Sequence, residues 1–156
     1  MTADDEPRWL TAEEQETWRA LGSLIVRLPA ALDAQLRRDA GITHFDYQVM
    51  SHLSEQEGRT LRMSELAERT DSSLQRLSQV VSRLEKKGWI SRRLDPADGR
   101  FTLATLTEQG WDKVVATAPG HANEVRDLAI DPLSTVQKRQ LLAISRRIVG
   151  TIEAKD

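Results

Sequence analysis

Residues 72–87, SSLQRLSQVVSRLEKK, are the stretch of sequence that decides the fold. At the helical repeat of 3.6 residues, its apolar side chains share an arc of about 120°; they are Leu74, Leu77, Val80, Val81 and Leu84. The first four residues, Ser72-Ser-Leu-Gln75, have the pattern of a capping box, which satisfies free backbone N–H groups where a helix starts. We therefore predict an amphipathic helix that begins at Ser72, turns its apolar stripe to a core and ends near Lys87-Gly88.

The opposite face of this helix carries amide, hydroxyl and cationic groups, and Glu85 is the only acidic residue in the stretch. Ordinary exposed helix faces mix glutamate with lysine, because such pairs stabilise the helix. Arginine can bond a guanine edge in bidentate fashion, and glutamine an adenine edge, in the major groove of DNA. The composition favours a DNA recognition helix over a plain surface helix. The candidate contacts are Ser72, Ser73, Gln75, Arg76, Gln79, Arg83 and Lys86.

A short helix and a hairpin lie on the two sides of this helix in the sequence. Residues 64–69 are predicted to form a helix capped by Ser64, and the turn at Thr70-Asp71 joins it to the longer helix. Residues 90–94 and 100–106 are predicted strands, separated by turn-forming residues. Arg100 lies near the tip of this hairpin, and a guanidinium on a narrow turn fits the DNA minor groove. Together these elements predict a winged helix-turn-helix.

Two helices are predicted before this module. The first begins at the capping box Thr11-Ala-Glu-Glu14 and ends at Gly41. Pro29 is expected to kink or split it, because proline lacks a backbone donor and crowds the preceding turn. The second helix is predicted from Thr43 to about Ser54.

Two further helices are predicted after the hairpin. Thr107 caps the first, which Pro119-Gly120 is expected to bend or interrupt, and Ser134-Thr-Val-Gln137 starts the last. The fold class is therefore mainly α (α+β), divided into N-terminal helices (1–59), a winged helix-turn-helix (60–107) and C-terminal helices (108–156). The apolar stripes of the flanking helices exceed what the central module could cover. They predict a homodimer through these helices, with coverage inside one chain as the alternative.

Charge and composition restrict the function classes. The net charge is −2, but residues 72–100 hold seven basic and three acidic residues, a local charge of 7 − 3 = +4. A basic segment suits contact with a polyanion, although a solvated charged face fits the charge equally well. The absence of cysteine excludes disulfides and thiolate metal sites. The acidic residues 1–6 do not resemble a secretory signal, and no apolar run is long enough for a bilayer, so we expect a cytoplasmic protein without a membrane partner.

Four motifs match the spacing of one known family: LAE at 66–68, SQVVSRLE at 78–85 with KGWI at 87–90, Asp98 and Arg100 in the wing, and LTEQG at 106–110. In these motifs and in the order of its helices, the chain resembles the MarR family of bacterial transcriptional regulators. The resemblance implies a homodimer of winged helix-turn-helix subunits on a pseudo-palindromic operator. It also implies that Arg100 enters the minor groove, where Asp98 orients it. Four residues of the recognition helix are implied to lie in or beside the major groove: Gln75, Arg76, Gln79 and Arg83. Gly99 and Phe101 depart from the residues frequent in the family, which implies a weaker or shifted wing contact.

The resemblance also implies a ligand-responsive repressor, whose small effector binds between the DNA-binding lobe and the dimer helices. Trp18, His44 and Tyr47 are the candidate effector contacts. An ordinary histidine at position 44 is favoured over a zinc site that combines His44 with a carboxylate, so no metal or cofactor is expected. The sequence has no phosphate-binding glycine loop, catalytic carboxylate pair or nucleophile–histidine arrangement, so no enzyme is predicted. The alternative function is a winged-helix protein-interaction module that does not bind DNA.

Overall fold

The computed structural model of the chain describes residues 7–155. The acidic stretch 1–6, used above against a secretory signal, lies outside the described residues. The contacts of the chain divide it into two units, Met1–Ala31 and Leu32–Asp156. The division at residues 59/60 and 107/108 stays a prediction. Within residues 7–155, no helix has the length and apolarity of a membrane span.

Helix α1 (Ala12–Ala40) begins in the first unit. The predicted capping box is confirmed, since the Thr11 N–H donates to Glu14 Oε2 at 2.8 Å and the Glu14 N–H donates to Thr11 Oγ1 at 3.2 Å. Of the expected kink or split at Pro29, the split is wrong, because the helix is continuous through this residue, and the kink stays a prediction. Proline removes one backbone bond, and the other bonds of a long helix maintain it on both sides. Large apolar side chains of the first unit are exposed: Trp18, Leu24, Ile25 and Val26.

The second unit contains the remaining elements in chain order. They are α2 (His44–Ser54), β1 (Thr60–Arg62), α3 (Met63–Arg69), α4 (Leu74–Lys86), β2 (Ile90–Leu94), β3 (Thr102–Leu106), α5 (Glu108–Val125) and α6 (Thr135–Glu153). A 3₁₀ turn (Glu57–Arg59) precedes β1, and a π-helical turn (Arg126–Ile130) follows α5. This order confirms the mainly α fold with a small sheet, and it places α3, α4 and the hairpin in the arrangement of a winged helix-turn-helix.

The sheet is antiparallel, with the strand order β1-β3-β2. Ile90 pairs with Leu106 and Leu94 with Thr102, which confirms the predicted hairpin, although β3 begins two residues later than expected. Strand β1 was not predicted, because three residues are too few to show the alternation of a strand. Thr60 pairs with Thr105 across β1 and β3, and their hydroxyl oxygens lie 2.7 Å apart.

One hydrophobic core in the second unit joins α2, α3, α4 and the sheet. Its fully buried side chains include Val49, Met50, Leu53, Leu66, Leu77, Val81, Leu84, Ile90 and Ala104. The predicted core stripe of α4 is confirmed for Leu77, Val80, Val81 and Leu84. It is wrong for Leu74, which is 53% exposed. Leu74 is the first residue of the helix and lines a cleft beside the hairpin, beyond the edge of the core.

Two predicted helix caps differ from the structure. Helix α3 begins at Met63, and its N-cap, Arg62, makes no side-chain cap bond, so the prediction of Ser64 as the cap is wrong. The chain passes directly from β1 into α3. Helix α4 is capped by Ser73, whose Oγ accepts from the Arg76 N–H at 3.2 Å, one residue later than predicted. Ser72 belongs instead to the preceding turn, where its hydroxyl lies 3.0 Å from that of Thr70.

The glycine of the LTEQG motif has a steric role. A Cβ on Gly110 would lie 2.1 Å from the carbonyl oxygen of Trp89, so only glycine fits this approach of α5 to the end of α4. Thr107 caps α5 as predicted, accepting from the Gly110 N–H at 3.1 Å and donating to the Gly88 carbonyl at 2.6 Å. The motif therefore joins α5 to the α4–β2 connection.

The C-terminal helices match their predicted starts. Helix α5 runs through Pro119 to Val125, so the expected interruption there is wrong, and the bend stays a prediction. Ser134 and Gln137 form the predicted capping box of α6. No residue of α6 is buried, and its apolar stripe is exposed: Val136, Leu141, Ile144, Ile148 and Ile152.

Candidate nucleic-acid interface

The exposed face of α4 carries the residues that the sequence placed on it. Helix packing turns the apolar stripe inward, and the polar residues opposite it remain in solvent. The exposed members are Ser73, Gln75, Arg76, Gln79, Arg83 and Lys86, while Ser72 is half-buried. Amide and guanidinium groups therefore lie together on one accessible helix surface, as base readout in a major groove requires.

Glu85, the one carboxylate of α4, is engaged by the hairpin. Arg92 of β2 donates from Nη2 to Glu85 Oε2 at 2.8 Å, and its backbone N–H donates to Oε1 at 3.1 Å. Arg92 Nη2 also donates to Ser82 Oγ at 3.0 Å. These bonds to Arg92 lower the pKa of Glu85, so the carboxylate stays ionised. They tie β2 to α4 and neutralise the negative charge beside the exposed face.

The tip of the hairpin presents Arg100 together with Asp98. Arg100 donates from Nη2 to Asp98 Oδ2 at 2.6 Å and from Nε to Oδ1 at 3.0 Å. The hydrogen bonds from the Arg100 side chain and backbone lower the pKa of Asp98. The Arg100 side chain is 83% exposed. The orienting contact that the family resemblance implies is thus present, and the contact of Arg100 with DNA stays a prediction.

The turn end of the hairpin is held by Arg62 of β1. Its Nη2 lies 2.7 Å from Oδ2 of the buried Asp95, and its Cζ lies 4.3 Å from the ring centroid of Phe101. Arg100 Cζ lies 5.8 Å from the same ring. Phe101, one of the two departures from the family pattern, therefore lies beside two guanidinium groups. No local pattern indicates this role of Arg62, because its partner Asp95 is 33 residues away in the chain.

A cleft of about 240 Å³ separates the start of α4 from the hairpin. It is lined by Met63, Ser64, Leu74, Ser78, Arg92, Arg100, Phe101 and Thr102. The cleft places Arg100 on the same side of the unit as the first turns of α4. A recognition helix and a wing arginine on one side are the arrangement that a winged helix offers to adjacent grooves.

Two arginines of α4 contact the first turn of α2, and these contacts were not predicted. Arg76 Cζ lies 4.2 Å from the ring centroid of Phe45. Arg83 donates from Nη2 to Oδ1 of Asp46, a residue that is only 2% exposed. The other oxygen of Asp46 accepts from the Thr43 N–H at 3.0 Å and completes a capping box for α2. The T-x-x-D spacing of Thr43 and Asp46 could have revealed the cap, but not the ion pair with Arg83.

Two of the candidate effector residues, His44 and Tyr47, lie close to a histidine of α5. The Tyr47 and His44 rings lie 4.6 Å and 5.6 Å from that of His121 in α5, centroid to centroid. His121 Nδ1 lies 3.1 Å from Oε1 of the buried Gln35. Burial lowers the pKa of His44 and of His121, and the neighbouring His44 lowers that of His121 further. Trp18 belongs to the first unit, where it is exposed. Among the described residues, no group of three His, Cys, Asp or Glu could hold a metal ion.

These features define a winged helix-turn-helix protein with an exposed, nearly carboxylate-free recognition helix. A family model described as the MarR family matches residues 40–100. Sco3205, a MarR family transcriptional regulator from Streptomyces coelicolor solved in complex with DNA, is 44% identical; the match covers 94% of this chain and 91% of that one, with a TM-score of 0.90. The chain belongs to the MarR family of transcriptional regulators.

Two further relatives agree with this assignment. AbsC, a MarR family regulator from Streptomyces coelicolor, is 34% identical, and its match covers 95% of this chain and 99% of that one at a TM-score of 0.91. The transcriptional repressor MprA of Escherichia coli (strain K12) is 31% identical over 113 residues, 72% of this chain. The matched region spans 64% of the length of MprA.

Proposed function

We propose that this chain is a sequence-specific DNA-binding transcriptional regulator that binds a pseudo-palindromic operator. The observation that carries the proposal is the exposed face of α4, on which amide and guanidinium groups lie without a free carboxylate. The 44% identical Sco3205, solved with DNA, supports it. The proposed DNA contacts are Ser72, Ser73, Gln75, Arg76, Gln79, Arg83, Lys86 and Arg100, with Asp98 orienting Arg100.

The regulator is proposed to act as a homodimer. The apolar stripe of α6 has no buried residue, and the first unit exposes Trp18, Leu24 and Ile25. Apolar surface of this extent is characteristic of an interface rather than of a monomer surface. A two-fold dimer would present two copies of α4 to half-sites about one DNA turn, roughly 34 Å, apart. A second copy of the chain is therefore the proposed occupant of these faces.

We further propose that the regulator represses transcription and responds to a small effector. MprA, a relative, is named a transcriptional repressor. His44 and Tyr47, which lie against His121 between α2 and α5, are proposed effector contacts, and Trp18 is a third candidate. If an effector weakens operator binding, the operator must weaken effector binding by the same factor. The chain is proposed to act in the cytoplasm as a binding protein, without a catalytic or cofactor site.

The test begins by selecting bound duplexes from a random pool and measuring affinity for the recovered operator across a range of salt concentrations. Affinity should fall steeply with salt, because contacts with phosphates release counterions. Arg76→Ala should reduce the preference for the operator over random duplex by about tenfold or more, as expected for one base contact. Lys86→Ala should weaken both duplexes similarly, as expected for a phosphate contact.

Two outcomes would contradict the proposal. Equal effects of Arg76→Ala and Lys86→Ala on the two duplexes would argue against base reading by Arg76. If the protein bound no duplex at low salt but formed a salt-insensitive complex with another protein, the protein-interaction alternative would be correct.

A further inference from the structure

We infer that Phe45, in the first turn of α2, is a positioning residue for the Arg76 guanidinium and thereby tunes base preference without touching DNA. The inference rests on the proposed function, since it presumes that Arg76 reads a base. It concerns a residue outside the helix-turn-helix and outside the hairpin, on α2, which also packs against the core and against His121 of α5.

The contact lies at the part of α4 that matters most for base reading. Arg76 is the third residue of α4, within its first turn, and the N-terminal residues of a recognition helix contact base edges. Its guanidinium carbon lies 4.2 Å from the centre of the Phe45 ring. Arg76 is exposed, whereas Phe45 is half-buried and packs against the core. The ring is therefore a fixed support for a side chain that is otherwise free to change rotamer.

The chemistry of stacking leaves this arginine ready to bind. A guanidinium that lies flat on a ring leaves its five N–H donors, which point outward in its own plane, free of that contact. Arg83 and Arg100 are held differently, since each donates to a carboxylate, that of Asp46 or of Asp98. Within residues 7–155, the structure gives Arg76 no salt bridge. An aromatic support restricts the orientation of Arg76 and reduces its ordering cost on binding, without occupying the donors that a guanine edge needs.

The Phe45 ring is itself fixed relative to α4. Next to it, the His44 N–H donates to Asp33 Oδ1 at 2.9 Å, and the Asp46 N–H donates to Thr43 Oγ1 at 2.9 Å. Asp46 also pairs with Arg83, further along α4. The turn that carries Phe45 is thus linked to α4 a second time, which keeps the ring under Arg76.

The test is a double-mutant cycle measured on the selected operator and on random duplex at one salt concentration. Phe45→Leu keeps an apolar side chain but removes the aromatic face. It should lower the operator preference about two- to fivefold, the range of an exposed cation–π contact, and leave affinity for random duplex unchanged. Phe45→Tyr should retain the wild-type preference. In an Arg76→Ala background, Phe45→Leu should have no further effect.

A matched control uses another arginine–aromatic pair. Arg59, in the turn before β1, has its Cζ 4.1 Å from the centroid of the Trp111 ring on α5. Trp111→Leu should leave the operator preference unchanged. A cooperative thermal unfolding transition is measured for each variant to check that it is folded.

The inference is overturned if Phe45→Leu weakens both duplexes equally, raises operator affinity, or adds fully to the loss caused by Arg76→Ala. With wild-type binding intact, each of these results leaves the proposed function standing. If the wild-type protein binds no duplex, the proposed function and the inference both fail. The affinity of the wild-type protein is measured first, so this outcome is distinguished from a failure of the inference alone.

Discussion

The buried carboxylate of Asp46 should be a large single contribution to the stability of the second unit. It is 2% exposed, accepts from the Thr43 N–H through one oxygen and pairs with Arg83 through the other. Loss of a capping bond costs about 1 kcal/mol. Loss of a charge-assisted bond costs about 1.5–3 kcal/mol, and the lower end applies because the Arg83 side chain is 48% exposed and can be rehydrated. We therefore expect Asp46→Ala to lower the free energy of unfolding by about 2–3 kcal/mol.

The assay is urea unfolding at neutral pH and at one protein concentration, because association of subunits would couple to folding. The change in stability is read from the shift of the midpoint at an unchanged m-value. The control is Arg69→Ala, which breaks the Arg69–Glu65 pair on α3, whose side chains are 41% and 45% exposed. An exposed pair of this spacing contributes at most about 0.5 kcal/mol.

The complementary variant Arg83→Ala leaves an oxygen of Asp46 buried without its partner and should cost about 1–3 kcal/mol. The double variant should lose less than the sum of the two single losses, because both remove the same pair. A loss below about 1 kcal/mol for Asp46→Ala, or strict additivity in the double variant, would refute the claim that this pair links α2 to α4.

Three further changes test other parts of the structure. Gly110→Ala should lower the free energy of unfolding by about 3 kcal/mol or more, because its Cβ would meet the Trp89 carbonyl at 2.1 Å; a thermal midpoint equal to that of wild type would contradict this close approach. The lowered pKa of His121 means that the folded chain favours the neutral imidazole. The contribution of His121 to stability is therefore present above the ordinary histidine pKa of about 6.5. It is lost as the pH falls through the lowered pKa of the folded chain. Thermal midpoints measured from about pH 8 to about pH 5 should therefore decline, and His121→Asn should flatten the decline. Ile148→Glu places a charge on the exposed stripe of α6 and should convert the proposed dimer to monomers in sedimentation experiments, and an unchanged dimer would exclude this stripe from the interface.

The helices could be predicted because their signals are local. The capping boxes at Thr11 and Ser134 and the cap at Thr107 each depend on residues within three positions, and the structure confirms all three. The cap of α4 was displaced by one residue because Ser72 and Ser73 are chemically equivalent, and only the preceding turn distinguishes them. Local patterns therefore give the elements, with errors at their ends.

The edge of the core was less predictable than the presence of the core. Helical periodicity groups Leu74 with Leu77 and Leu84, but it carries no information about how far the neighbouring elements extend over the helix. In the structure the core ends one turn after the start of α4, and Leu74 faces the cleft instead. Strand β1 was not predicted because its three residues are too few to show an alternation, and its partner β3 lies about 40 residues further along the chain.

The composition of α4 predicted the location of the candidate interface but not the side chains from α2 and β1 that contact its residues. Phe45, Asp46 and Arg62 contact Arg76, Arg83 and Asp95 respectively, across more than 30 residues of sequence. Such pairings depend on how α2 and β1 pack, and a single sequence contains no local signal for them. Asp98 and Arg100, by contrast, lie two positions apart within one motif, and the family resemblance implies their pairing.

The partners of the arginines in residues 72–100 decide which of these arginines have N–H donors free for DNA. The net charge of +4 for residues 72–100 omits two outside side chains that pair with it, Asp46 with Arg83 and Arg62 with Asp95, and counting both leaves it at 8 − 4 = +4. Arg83, Arg92 and Arg100 each donate to a carboxylate, whereas Arg76 lies on an aromatic ring. Carboxylate-bound guanidiniums must share or exchange their donors to contact DNA, at a cost in hydrogen bonds already made. Free N–H donors, rather than formal charge, therefore distinguish Arg76 from Arg83, Arg92 and Arg100.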